Sequence, residues 1–373
     1  MRLTGLQPVV RADGPYASVC LDVSRTTENA EHELQLRWRA VSDSLRSDGA
    51  PDGVVERLAS RVLEPTEHGG TLQRYAVAAD DGIAVDSLGP GPIAQPEYAH
   101  YGPLPHLMPL ARMRTGRTPY ILVKVDHTGA DIVCADSTGL DVEHSQSEGD
   151  HDVVHKVPGG GWSHRRFQSR VEDSWERNGE QVAEDVHKAA LDHPGPVLLV
   201  GEPHARSIVR TYATGRLAAR LTDLGHGSRA AGSSDDALDE RVVAELAGRR
   251  EARRTALLER YREQVGRGDG VATNLTEVLR ALREGSLETL LLVDRPDSTE
   301  RLWTGSAPTQ VARGADELTS LGSDAAVEDR ADEVVVRALV DLDGDLELLD
   351  EGTDLLPDGI GGMLRFDTGR VRS

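Results

Sequence analysis

Between Val153 and Val171 the chain carries Lys156, Arg165, Arg166 and Arg170, with His155 and His164 beside them and no Asp or Glu. Gly159, Gly160 and Gly161 stand in the same window, directly before Trp162 and Ser163. Glycine removes side-chain bulk and opens backbone angles closed to other residues, so the chain here can approach a ligand closely. The rest of the protein is acidic, with a formal charge of -21 over 373 residues. A cationic, side-chain-poor loop on an anionic body suits contact with the phosphates of a polyanion. The plainer reading is a surface loop whose arginines form a solvated helix start. Cations at a helix N-terminus oppose the macrodipole, and phosphate contacts would resolve that conflict. The net charge argues against nucleic-acid binding by the whole surface, so any RNA contact is local.

Other candidate chemistry fails on spacing. Gly161-Trp162-Ser163-His164-Arg165 has arginine where a nucleophile elbow needs its last glycine. Asp341-Leu342-Asp343-Gly344-Asp345 misplaces the glycine and glutamate of a calcium loop and reads as a hairpin turn. Gly266-Arg267-Gly268-Asp269-Gly270 does not lie between a strand and a phosphate-binding helix, as a dinucleotide fingerprint requires. Cys20 and Cys134 are far apart, and no histidine pair has metal-ligand spacing on a convincing helix. No metal and no cofactor are therefore expected. No stretch reads as a signal peptide or a bilayer span, and a cytoplasmic protein is expected.

The length allows two or three domains. The first segment, 1–115, opens with a strand at 17–23. A helix follows, carrying Ala30, Leu34, Trp38, Val41 and Leu45 at helical spacing and capped by Thr26 or Thr27. A second helix uses Val54, Val55, Leu58 and Val62, and Asp81-Gly82 joins two strands between Tyr75 and Leu88. The proline-rich passage 90–109 reads as a surface connector. The second segment, 116–228, offers strands at 119–125 and 130–134, then the glycine-rich loop. A long helix follows, with Val171, Trp175, Val182, Val186 and Ala190 on one face, then a buried strand at 197–201 and a helix over 208–221. The third segment, 229–373, begins with a helix over 238–265 whose core face is Leu238, Val242, Leu246, Leu257, Leu258, Tyr261 and Val265. Asn274 starts another helix that ends at Gly285. Strands are expected at 287–293, 334–340 and 345–349, with a closing element at 359–365. This order predicts a mixed α/β protein.

The run from Asn274 to Leu292, above all Glu277-Val278-Leu279-Arg280-Ala281-Leu282 before Glu288-Thr289-Leu290-Leu291-Leu292, resembles the C-terminal signature of the archaeal and eukaryotic class-I peptide release factors and Pelota. Gly359-Ile360-Gly361-Gly362-Met363-Leu364-Arg365-Phe366 resembles that family's closing segment. Gly160-Gly161-Trp162-Ser163, with Arg166-Phe167, falls where the family carries Gly-Gly-Gln-Ser and a later Arg-Phe. The likeness spans roughly 117–373 and is strongest to bacterial homologues, in the actinobacterial branch that includes the hibernation factor Balon. Val125-Asp126-His127-Thr128-Gly129-Ala130-Asp131 is shared with that branch.

The resemblance implies a three-domain, tRNA-shaped factor that enters the ribosomal A site. Its middle domain would be a mixed sheet, RNase H-like or ribosomal-protein-like, and its C-terminal domain an L7Ae-like α/β fold. Partners would be ribosomal RNA at the peptidyl-transferase centre and a translational GTPase such as elongation factor Tu. Gly160, Gly161 and Trp162, with His164 and Gln168 nearby, would be the catalytic positions. Lys156, Ser163, Arg165, Arg166 and Arg170 would touch RNA. Trp162 stands where the family has glutamine, which orients water against the peptidyl-tRNA ester. Three classes stay open: a protective A-site binder without chemistry, a peptidyl-tRNA hydrolase, and an unrelated α/β enzyme. The last would need an apolar pocket with convergent polar groups, for which no fingerprint exists in the sequence.

Overall fold

The computed structural model describes residues 1–66, 68–91, 97–136, 141–148, 162–227 and 236–366, with backbone alone for 141–142, 148 and 162–174. The chain divides into two compact units, one formed by 1–115 together with 254–373 and the other by 116–253.

The first unit begins with α1 (Gln7–Arg11), β1 (Tyr16–Asp22), α2 (Ala30–Ser47), α3 (Asp52–Val62), β2 (Leu72–Ala79), β3 (Gly82–Pro90), β4 (Tyr98–Gly102) and α4 (Met108–Arg114). The strands form an antiparallel sheet in the order β3-β2-β1-β4. Ala30, Leu34, Trp38, Val41 and Leu45 of α2 are all buried, as their helical spacing predicts. Asn29, rather than Thr26 or Thr27, precedes that helix, and its side chain makes no capping bond. The passage expected to run over the surface does not. Its described part supplies β4, which pairs with β1, and then buries Leu104, Leu107 and Met108. Prolines punctuate this stretch, but its leucines and methionine carry enough apolar surface to be drawn into the core.

The second unit contains β5 (Tyr120–Val125), β6 (Gly129–Ala135), β7 (Asp141–Glu148), α5 (Trp162–Asp192), β8 (Val197–Gly201), α6 (Pro203–Tyr212), α7 (Gly215–Arg220) and β9 (Leu221–Gly225), followed by the first half of α8 (Asp236–Arg267). Its sheet runs β7-β6-β5-β8-β9, with β5, β8 and β9 parallel and β6 and β7 antiparallel. This is the mixed sheet that the resemblance implied. One face packs Ile121, Val123, Ile132 and Leu199 against Val182, Val186 and Val209. The other packs Leu122, Leu198 and Val200 against Leu238 and Val242 of α8. Two elements depart from expectation. β7 is an edge strand whose one apolar residue is Val142, too few to show in hydrophobic patterning. The helix expected over 208–221 breaks at Ala213, whose backbone is extended, and the chain re-enters the sheet as β9.

The first unit resumes with the last turns of α8, then β10 (Val271–Ala272), α9 (Leu275–Arg283), β11 (Leu287–Val293), β12 (Arg301–Thr304), β13 (Val311–Ala312), α10 (Ala315–Ser320), β14 (Val327–Arg330), α11 (Ala331–Asp341), β15 (Asp345–Leu349) and β16 (Ile360–Leu364). A mixed sheet, β10-β16-β11-β15, and a small antiparallel sheet, β13-β12-β14, result. Tyr261 is buried under the mixed sheet, whereas Val265 is 41% exposed and falls outside the expected core face. Asn274 caps α9 by accepting the Glu277 amide at 3.1 Å, and Glu277 reaches back to the Thr273 amide at 2.8 Å. Gly285 (φ 67°) closes the helix, with Ser286 N bonded to Ala281 O and Gly285 N to Leu282 O. Val334–Val340 is not a strand but most of helix α11. Glu333 through Val340 are all buried, the charged Glu333 and Arg337 among them, so no exposed face exists to mark a helical period. Packing overrides the small helix penalty of valine, at most about 0.7 kcal/mol per residue.

Candidate functional site

In sequence the glycine-rich window falls between the edge strand β7 and helix α5, and the β5–β6 turn is bonded to α5. Asp126 organises the turn, its Oδ1 accepting Thr128 N at 2.7 Å, Thr128 Oγ1 at 2.6 Å and Gly129 N at 3.1 Å. The C-terminal half of α5 is held firmly. Val182, Ala183 and Val186 are buried on the sheet, and Asn178 Nδ2 donates to His127 O at 3.2 Å. Gly179 lets α6 come close, since a Cβ there would lie 2.3 Å from Ile208 Cγ2. Ser147 on β7 donates to Asp185 Oδ2 at 2.8 Å. Burial pushes the Asp185 carboxyl up, but bonds from Lys188, Ser147 and Gln181 outweigh it and hold the group below the usual carboxylate range.

Helix α5 spans 31 residues, or about 46 Å at the standard helical rise. Trp162 opens it, placing the helix start immediately after Gly161. Ser163, His164, Arg165, Arg166, Gln168 and Arg170 lie along its first turns, where the backbone alone is described. Positions 164 and 168 are one turn apart, as are 162 and 166. Lys156, Gly160 and Gly161 lie outside the described residues. The first turn of α5 contains no acidic residue. Its leading N–H groups therefore meet no carboxylate from their own helix, an arrangement that suits an incoming anion.

One grouping was not foreseen from the sequence. Trp175, expected on the core face of α5, is only half-buried, and its ring lies 6.0 Å from His127 and 5.3 Å from His204. His127 Nδ1 is 3.2 Å from the Glu202 carboxylate. Asp126, Gly179, Ala205 and Ile208 complete a narrow crevice around these rings. The one available signal was a tryptophan in a chain with 3% aromatic residues.

The family model for bacterial archaeo-eukaryotic release factor family 2 matches residues 119–267, which take in the five-stranded unit and all of α8. An uncharacterized protein of Mycobacterium tuberculosis, Rv2629 in strain H37Rv, is 30% identical over 372 residues, covering 98% of this chain and 97% of that one. The chain belongs to the bacterial archaeo-eukaryotic release factor family. Among solved structures it is similar to the archaeal translation termination factor aRF1, with 15% identity, TM-score 0.24 and coverage of 98% and 96% of the two chains. It is also similar to Pelota in a model of ribosome-bound archaeal Pelota and ABCE1, with 13% identity, TM-score 0.37 and coverage of 97% and 93%. At Trp162 the indole offers one N–H donor and no acceptor, where the glutamine expected there from the resemblance would offer both.

Proposed function

We propose that this protein is a ribosome-associated translation factor that occupies the A site as a tRNA mimic and shields idle ribosomes under stress. The observation that carries this reading is the acid-free, cationic, glycine-rich window that runs directly into the start of α5 in a release-factor homologue of charge -21. Lys156, Arg165, Arg166 and Arg170 contact RNA phosphates. Gly160 and Gly161 let the backbone pass close to the RNA. Trp162, in place of glutamine, stacks on a base and keeps water from the peptidyl-tRNA ester. The setting is cytoplasmic, and a translational GTPase such as elongation factor Tu is the delivering partner.

Ribosome co-sedimentation over a salt series tests the reading. The wild type pellets with ribosomes and dissociates steeply as salt rises, whereas the Arg165→Glu, Arg166→Glu variant binds weakly and with a salt slope lower by about two. Unchanged pelleting of the variant would overturn the assignment of the loop.

A second reading, peptidyl-tRNA ester hydrolysis, is favoured by one feature: His164 and Gln168 stand a helical turn apart immediately after the paired glycines. A backbone N–H survives the change to tryptophan and would stabilise the oxyanion formed by attacking water. Release of nascent chain from stalled ribosomes by the wild type, abolished in a Gly160→Ala, Gly161→Ala variant, would establish this activity. Binding without release would favour the protective role.

A further inference from the structure

In the unit formed by residues 1–115 and 254–373, three side chains that can ligate a metal converge. His100 lies on β4, His106 follows that strand, and Asp329 lies on β14. One ligand atom from each lies within 4.8 Å of the others. Ligand atoms around a tetrahedral zinc sit about 3.4 Å apart, so side-chain shifts on the order of 1 Å close the set. His106 Nε2 and Asp329 Oδ1 are already 3.1 Å apart.

Two atoms of this cluster have no hydrogen-bond partner, His100 Nε2 and Asp329 Oδ2. Asp329 is only 3% exposed. An unsatisfied buried carboxylate oxygen is costly and uncommon in native proteins. Gly102 leaves room beside the imidazole, since a Cβ there would lie 2.5 Å from His100 Nε2. The His100 ring stacks on His106 with centroids 3.7 Å apart and planes at 13°.

The surroundings orient His106 as a ligand is oriented. Its Nδ1 contacts the Tyr98 hydroxyl and lies 3.8 Å from Glu333 Oε1. Glu333 is itself held by the Leu107 and Met108 amides, at 2.5 and 3.0 Å. With the Nδ1 proton directed at these oxygens, the Nε2 lone pair faces a carboxylate oxygen, and a cation between them removes the repulsion. A proton on Nε2 would satisfy Asp329 Oδ1 yet leave Asp329 Oδ2 and His100 Nε2 bare. A metal ion satisfies all three residues. Two imidazoles and a carboxylate suit zinc, rather than magnesium or calcium, which prefer oxygen ligands alone.

We propose that His100, His106 and Asp329 form a zinc site that staples β4 and the segment after it to β14. A second group, Cys134, Glu143 and His193 in the other unit, also lies within ligating distance. The Glu143 side chain there is 60% exposed, and this group serves as the control.

The test uses the full-length chain, stripped with a chelator, dialysed and titrated with zinc chloride by calorimetry, with bound metal counted by elemental analysis. One zinc per chain is expected, with a rise in thermal midpoint. His100→Ala and Asp329→Asn should each weaken that equivalent at least about tenfold, while Cys134→Ser retains it. Cobalt substitution should give ligand-field bands without a sulfur-to-metal charge-transfer band. His100 is only partly buried, so its variant remains informative if Asp329→Asn fails to fold. Wild-type protein that binds no zinc would overturn the site in favour of a protonated His106. Loss of zinc in Cys134→Ser, with retention in His100→Ala, would overturn it in favour of the other group.

Discussion

Gly201 shows how much one residue can decide. It pairs with Val125 across the parallel strands, its φ is +131°, and a Cβ there would fall 1.8 Å from Val125 O. That neighbour is backbone and has little freedom to yield. Gly201→Ala should cost about 2–4 kcal/mol of stability in urea unfolding. Gly248→Ala, in α8 with nothing within 4 Å of the added carbon, should gain up to about 1 kcal/mol by the same measurement. Glu317 gives a residue-scale pH prediction. The Arg283 guanidinium at 2.5 Å, then the Arg313 amide at 3.1 Å, hold its carboxyl below the usual range. A depressed carboxylate contributes stability above its unfolded pKa of about 4 and loses it as pH falls through the folded value. Glu317→Gln should therefore be less stable than wild type at pH 7 and converge with it in acid. A gap that widens below pH 4 would contradict this assignment.

Among elements, α11 is notable for burying every residue from Glu333 to Val340. It packs its valines into the core shared by residues 1–115 and 254–373, and it also buries a charge. Arg337 is 4% exposed and donates to Val10 O at 3.1 Å, Thr304 Oγ1 at 2.9 Å and Ser306 O at 3.4 Å. Burial pushes its pKa down, and Asp341 opposes that shift. Arg337→Ala would leave those acceptors without their donor and open a cavity, at a cost of about 3–5 kcal/mol. Equilibrium denaturation checks this, and a loss under 1 kcal/mol would show that water replaces the guanidinium. Helix α5 has a different role. Its C-terminal half is fastened by Asn178, Gly179, Val182 and Val186. Trp162 lies about 20 Å along the axis from Trp175, so one continuous helix runs from the sheet to the residue that follows Gly161.

At the scale of the whole molecule, the charge of -21 and the local cationic window respond to salt with opposite signs. Screening relieves self-repulsion among the carboxylates, so the thermal midpoint should rise as salt is increased from low to physiological strength. Screening also weakens phosphate contacts, so ribosome binding under the proposed function should fall over the same interval. Parallel thermal melts and sedimentation measure both. If the two quantities move together, the binding surface is not the cationic window.

The sequence by itself determined the elements marked by an apolar period, a short apolar run or distinctive turn and cap residues. Helix α2, the hairpin of β2 and β3, strand β8 and helix α9 with its Asn274 cap and Gly285 stop all follow from spacing and terminal residues. The type and order of the loop residues, from the glycines to Arg170, were likewise readable, because composition is local. Tertiary structure decided what local periodicity cannot encode. Burial on every side hid α11, an edge sequence with Val142 as its single apolar residue hid β7, and residues 97–109 entered the core because apolar neighbours from 254–373 were there to receive them. It also gathered His127, Trp175, His204 and Glu202, and brought Asp329 to His106 across 223 positions of chain. Periodicity reports which side of an element faces inward; only folding brings distant segments together there.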